Sequence, residues 1–177
     1  MGPDPVRFDE TLHQRSLANV RAFDRRSAAI DGHRPAAVAV VLLPDDAGRA
    51  CFLLTRRAAS LRTHTSQWAL PGGRVNPGET APCAALRELR EEVGLGLGED
   101  AVLGLLDDYR SRSGFVITPV VVWAGAAVEL QPNPDEVASL HLVQPRASSL
   151  ASASVCHIAL SRADRPKTWQ FPQAGPS

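Results

Sequence analysis

Apolar residues recur along this chain with two different periods. From Phe8 to Arg26 no strong helix breaker intervenes, and Phe8, Leu12, Val20 and Phe23 fall near one face, which predicts a helix. Pro35 to Leu43 is rich in Val and Leu and ends at Pro44, the pattern of a buried strand. Asp45-Asp46-Ala47-Gly48 supplies turn chemistry and Ala50 to Thr55 returns as a second strand, so the pair predicts a hairpin. Arg56 to Val75 reads mostly as loop, closed by Pro71-Gly72-Gly73. A second helix follows: Thr80 suits its N-cap, Pro82 its first turn and Gly94 its C-terminal stop. Val102 to Arg110 and Phe115 to Ala124 predict paired strands around a Ser113-Gly114 turn, and Leu140 to Val143 a short one. Gln131 to Asp135 is a Pro-rich loop, Ser148 to Leu160 a weak helix, and Asp164 to Ser177 a polar, fraying end. Helices and strands interleave around one mixed sheet, so the fold class is α/β or α+β.

Composition narrows the function classes. The chain has 177 residues, 44% of them hydrophobic, with 19 basic and 19 acidic side chains. That size suits one core domain, expected over residues 35–163, with a helical extension packed on it over 1–34 and a flexible tail over 164–177. Zero net charge argues against a broad nucleic-acid or membrane binder. No apolar run approaches the roughly 20 residues that span a bilayer. Met1 to Glu10 carries acids and prolines instead of a secretory start, and Cys51, Cys83 and Cys156 form no CxxC pair, so a reduced cytoplasmic setting is expected.

The candidate chemistry lies on the second helix. At about 100° per residue, Glu88, Glu91 and Glu92 share an arc of roughly 100°, while Leu86, Leu89 and Val93 cluster on another. At about 6 Å and an effective dielectric of about 20, each carboxylate pair repels by roughly 3 kcal/mol. Solvation of an exposed acidic face is one relief, and Arg87 at i,i+4 to Glu91 is another. A third is a hard divalent cation such as Mg²⁺ or Mn²⁺, for which oxygen donors at this spacing are suited.

The surrounding spacing favours the cation. Gly73, five residues, Glu79, seven residues, then Arg87-Glu88-Leu89-Arg90-Glu91-Glu92-Val93-Gly94-Leu95 resembles the Nudix box, G-x5-E-x7-R-E-U-x-E-E-x-G-U, at every fixed position. Chance matching in a chain this long is on the order of one in ten million. The resemblance to a Nudix hydrolase implies an α/β/α sandwich with a mixed sheet and a loop-helix-loop. It implies that Glu88, Glu91 and Glu92, with the carbonyl of Gly72, hold the metal. Gly73, Glu79, Arg87 and Gly94 match positions that shape and fasten the box. The implied reaction is hydrolysis of a nucleoside diphosphate linked to a second moiety.

Upstream, Leu53-Leu54-Thr55-Arg56-Arg57-Ala58, then Arg62, Ser66 and Leu70-Pro71-Gly72-Gly73, is similar to the accessory motif of Nudix coenzyme A diphosphatases, with Ser66 in place of Gly and Leu70 in place of Phe. The resemblance implies that Arg56, Arg57 and Arg62 form a positive wall for phosphate oxygens, coenzyme A's 3′-phosphate among them; an ordinary Arg-rich surface loop is the alternative. Trp68 suits adenine stacking or loop packing, and His64 lies between the Arg residues and the box. Arg112 to Val121 and Pro134-Asp135-Glu136-Val137 also resemble this subfamily, which makes Glu136 a candidate metal ligand or general base on a mobile loop, or else a surface carboxylate. The subfamily's W-G-x-T-A or A-P-T-A opener of a last helix has no match in Trp169 to Ser177, which puts the core's edge or a homodimer contact in question.

The expectation is therefore a Mg²⁺- or Mn²⁺-dependent enzyme that cleaves coenzyme A or acyl-coenzyme A to 3′,5′-ADP and 4′-phosphopantetheine, with no nucleic-acid or membrane partner. Hydrolysis of ADP-ribose, a nucleotide sugar or a modified nucleoside triphosphate is the enzymatic alternative. A non-catalytic ligand-sensing Nudix domain is the alternative of another class.

Overall fold

The computed structural model describes residues 5–58 and 68–145. The expected helix over 148–160, the tail over 164–177, and Arg62, His64 and Ser66 lie outside the described residues.

β1 (Arg34–Pro44) is buried continuously from Ala36 to Leu43. A strand that is apolar on both faces needs cover on both, and two clusters provide it. Ala36, Val38, Val40 and Leu42 pack towards Leu12 of α1 (Glu10–Arg21). Ala37, Ala39, Val41 and Leu43 pack towards Leu86, Leu89 and Val93 of α2 (Ala81–Val93). The result is an α/β/α arrangement with a mixed sheet between the two helices.

β2 (Ala50–Arg57) returns antiparallel to β1 through a turn in which the Asp45 carboxylate accepts from the backbone of Ala47 and Arg49. The two strands pair only near that turn, Leu42 with Phe52 to Pro44 with Ala50, and then part. The fork is filled by β3 (Trp68–Ala69), paired with β2, and β4 (Gly72–Arg74), paired with β1. After α2 the chain forms β5 (Val102–Leu105) and β6 (Tyr109–Arg110), both antiparallel to β7 (Phe115–Trp123). β7 runs parallel to β1, and β8 (Val137–Val143) closes the other side of β2.

Four expectations are refined. Within the segment expected to be mostly loop, Arg56 to Val75, the described residues include strand: β2 continues through Arg57, and β3 and β4 occupy the fork. Strands of two and three residues carry no period-2 signal; they form because the diverging edges of β1 and β2 offer unpaired backbone groups. α1 ends at Arg21, short of Arg26. The chain beyond it is claimed by Asp107 and Asp108, which also split the expected strand over Val102 to Arg110. The Asp108 carboxylate accepts from Arg25 Nη2 (2.7 Å), Ala28 N (2.9 Å) and Thr118 Oγ1 (2.8 Å), and Asp107 accepts from Arg26 N (2.7 Å). These bonds outweigh the modest propensity of Ala22 to Arg26 for helix. The last is β8, which begins at Val137, ahead of the expected Leu140. No helix among the described residues is long and apolar enough to cross a membrane.

With its side chain only 6% exposed, Asp108 is the fastener of the N-terminal segment. Replacing it with Ala leaves buried donors unpaired and is expected to cost about 3 kcal/mol, measured by urea unfolding. A loss under about 0.5 kcal/mol would show that the segment is held by other contacts.

Candidate active site

α2 starts where the Thr80 hydroxyl accepts from Cys83 N, and stops at Gly94, whose φ of 72° ends the helix in the left-handed region. Its apolar stripe, Ala85, Leu86, Leu89 and Val93, faces the sheet. That seating determines the surroundings of the three glutamates, and they are not alike. Glu91 has a side chain 53% exposed, Glu88 only 16%, and Glu92 is 7% exposed overall. Glu88 and Glu92, one helical turn apart, lie over β4, whereas Glu91 points outward.

The two glycines of β4 meet the inner carboxylates in different ways. A Cβ on Gly73 would collide with the Glu88 carboxylate, and the backbone N–H of Gly72 donates to Glu92 Oε2 at 3.3 Å. Arg87 ties the box together. Its Nε donates to Glu79 Oε1 (2.9 Å), Nη2 to the Arg74 carbonyl (2.9 Å), and Nη1 to both Glu88 Oε1 (2.8 Å) and Glu91 Oε2 (3.0 Å). Glu79 in turn accepts from Asn76 N (2.9 Å). The Arg87 bond holds the Glu79 carboxyl below its ordinary range.

The electrostatics of the inner pair run the other way. Burial, followed by the charge of Glu88, pushes the Glu92 carboxyl up to about 8; Glu136 adds to the rise, while the Gly72 N–H and Arg57 oppose it. Burial also raises Glu88, against the pull of Arg87, with Glu91 and Glu136 repelling it. Glu136 therefore stands close enough to act on both. It sits in the loop before β8, where its backbone carbonyl accepts from Ala58 N at the end of β2 and its carboxylate accepts from Asn133 Nδ2 at 3.2 Å. Asn133 was missed in the sequence; its signal was the turn-forming Asn-Pro-Asp run.

The structure divides the expected basic wall. Along β2, Leu53 belongs to the cluster under α2, and Phe52 and Leu54 to the cluster under α1. Alternation then sends Arg57 to the α2 side, where its charge reaches Glu92, and Arg56 to the α1 side. Trp68 is in register with Arg56 and meets His141 edge-on at 4.1 Å. Arg56 and Trp68 thus share the face away from the glutamates, a one-residue consequence of strand geometry that an Arg-Arg pair in sequence conceals. Burial pushes the Cys51 thiol up to about 11, which makes it an inert core residue.

The donor set fits a hard divalent cation: every group is a carboxylate or carbonyl oxygen, and two carboxylates are held out of water in mutual repulsion. In this conformation the Arg87 guanidinium lies between Glu88 and Glu91. Among the described residues, no three acidic, His or Cys side chains close around one point.

Residues 33–158 match the NUDIX domain family. A protein of Photorhabdus laumondii subsp. laumondii, named uncharacterized Nudix hydrolase NudL, is 37% identical over 133 residues, covering 75% of this chain and 70% of the relative. The protein of the same name from Pectobacterium atrosepticum is 46% identical over 90 residues, 50% of this chain and 47% of its own length. The chain thus spans about half the length of that second relative. A solved MutT/nudix family protein from Enterococcus faecalis superposes with a TM-score of 0.54 at 20% identity, covering 78% of this chain and 57% of that one, a likeness of fold.

A carboxyl whose pKa is raised on folding binds its proton more tightly in the native state. Its stabilising effect is complete below the unfolded value near 4.5 and is lost as pH rises through about 8. In the presence of a chelator, the melting temperature is therefore expected to fall between about pH 5 and pH 8, and Glu92→Gln is expected to flatten that slope. The same slope in wild type and Glu92→Gln would contradict the placement of Glu92.

Proposed function

This chain belongs to the Nudix family of hydrolases, and from that membership we propose that it hydrolyses coenzyme A or an acyl derivative at the diphosphate, giving 3′,5′-ADP and 4′-phosphopantetheine. The observation that carries diphosphate chemistry is Glu92, a carboxylate out of water beside Glu88 and Glu136, arranged for a positive partner. The coenzyme A assignment is the finer step. It rests on the similarity of Leu53 to Gly73 to the coenzyme A diphosphatase motif, in which Arg57 lies on the glutamate side. Arg56 and Trp68 face away and contribute nothing to the proposal.

Glu88, Glu91 and Glu92, with the Gly72 carbonyl, would hold Mg²⁺ or Mn²⁺, and the bound cation supplies charge neutralisation of the diphosphate and acidification of a water. The protein's own groups do the rest. Glu136, held at the ridge by its loop, accepts the proton as the water oxygen attacks phosphorus and the bridging P–O bond breaks. Arg57 offers a guanidinium to phosphate oxygens. Arg87 holds Glu79 and the Arg74 carbonyl, which keeps the 74–79 loop against the helix. Arg62 is proposed as the reader of the 3′-phosphate.

The test is a panel of coenzyme A, dephospho-coenzyme A, ADP-ribose and NADH, with products identified by mass spectrometry. The highest kcat/KM is expected for coenzyme A. Equal or better turnover of ADP-ribose would replace that substrate with a nucleotide sugar-like one, and no turnover of any would favour a ligand-sensing domain. Glu92→Gln is expected to lower turnover roughly 10²- to 10⁴-fold; wild-type rates would remove the ridge from the mechanism.

A further inference from the structure

The loop between β7 and β8 contains Gln131-Pro132-Asn133-Pro134-Asp135-Glu136. Proline has no N–H, so the backbone donors from Gln131 to Pro134 are those of Gln131 and Asn133. Both go to the last carbonyls of α2, which a helix leaves unpaired: Gln131 N to Val93 O at 2.8 Å and Asn133 N to Glu92 O at 2.9 Å. Gly94 permits this approach, since a Cβ there would lie 2.8 Å from the Gln131 Cβ. The loop is therefore stitched to the catalytic helix, in contrast to the mobile element expected from sequence.

Asn133 makes four further bonds. Its carbonyl accepts from Glu136 N (3.1 Å) and Val137 N (2.8 Å), and its side-chain Oδ1 accepts from Asp135 N (3.1 Å). With Oδ1 committed to a donor, the amide has one orientation, and Nδ2 donates to Glu136 Oε1 at 3.2 Å. One residue thus grips the peptide of Glu92 with its backbone and the carboxylate of Glu136 with its side chain. We propose that Asn133 is a positioning residue that fastens the loop to α2 and aims the Glu136 carboxylate at the glutamate ridge. The inference rests on the proposed role of Glu136. The charge of Glu136 acting on both Glu88 and Glu92 agrees with that aim.

Asn133→Asp separates the two tasks, because it keeps the backbone bonds and the Oδ1 acceptor but turns a donor towards Glu136 into a second carboxylate. The expected result is a roughly 10- to 100-fold loss of kcat with KM nearly unchanged, the range seen when an orienting partner is removed. At pH 8 in chelator, the melting temperature is expected to fall by about 2–4 °C. Adding Glu136→Gln to Asn133→Asp restores a donor-acceptor pair, so the melting temperature should recover while turnover stays lost. Wild-type kcat in Asn133→Asp, alongside lost turnover in Glu136→Gln, would overturn the role of Asn133 and leave the diphosphatase reading standing. Wild-type turnover in Glu136→Gln would overturn the inference through Glu136 itself. A melting temperature that does not recover in the double variant would also overturn it.

Discussion

Acidic groups crowded into a dry place are the constraint from which the rest of this structure follows. Glu88 and Glu92 lie one turn apart on α2, over a strand in which Gly73 leaves space for Glu88 and Gly72 offers its N–H to Glu92, and Glu136 approaches from the loop before β8. Removing carboxylates from water costs free energy, and bringing them together costs more. A fold retains such a group when something positive compensates it. Arg87 does so for Glu88 and Glu91, while Glu92 is met by a backbone N–H and by the more distant Arg57. What remains uncompensated is what the proposed cation would neutralise.

The scaffold can be read as the means of imposing that crowding. β1, apolar on both faces, fixes the layer between the helices, and its divergence from β2 creates the fork in which β3 and β4 are held. Only this fork brings Gly72 and Gly73 beneath the α2 carboxylates. The loop from Gln131 to Glu136 then closes the helix's C-terminal end and delivers the last carboxylate. The N-terminal segment, fastened by Asp108, covers the opposite face and takes no part in the ridge.

Much of this was legible in the sequence because it depends on local spacing. The span from Gly73 to Leu95 specifies a capped helix, its apolar stripe and the three glutamates, and the structure has the helix from Ala81 to Val93. The unbroken apolar run of β1 announced a strand covered on both sides. What stayed hidden depends on partners far along the chain. β3 and β4 owe their existence to two diverging edges, and α1 stops early because aspartates more than eighty residues away bind its continuation. The unequal burial of Glu88, Glu91 and Glu92 follows from how α2 seats on β4, which a helical wheel does not contain. Arg56 and Arg57 look equivalent in sequence and separate only when strand alternation assigns them to opposite faces.

The central claim is that the glutamate ridge is a cation site. Anomalous diffraction at the manganese edge, from crystals grown with Mn²⁺, addresses it most directly. The account predicts an anomalous peak bound by Glu88, Glu91, Glu92 and the Gly72 carbonyl, with Arg87 still joined to Glu79 and the Arg74 carbonyl. Absence of a peak at saturating Mn²⁺, with Glu88 and Glu91 still paired to Arg87, would contradict it.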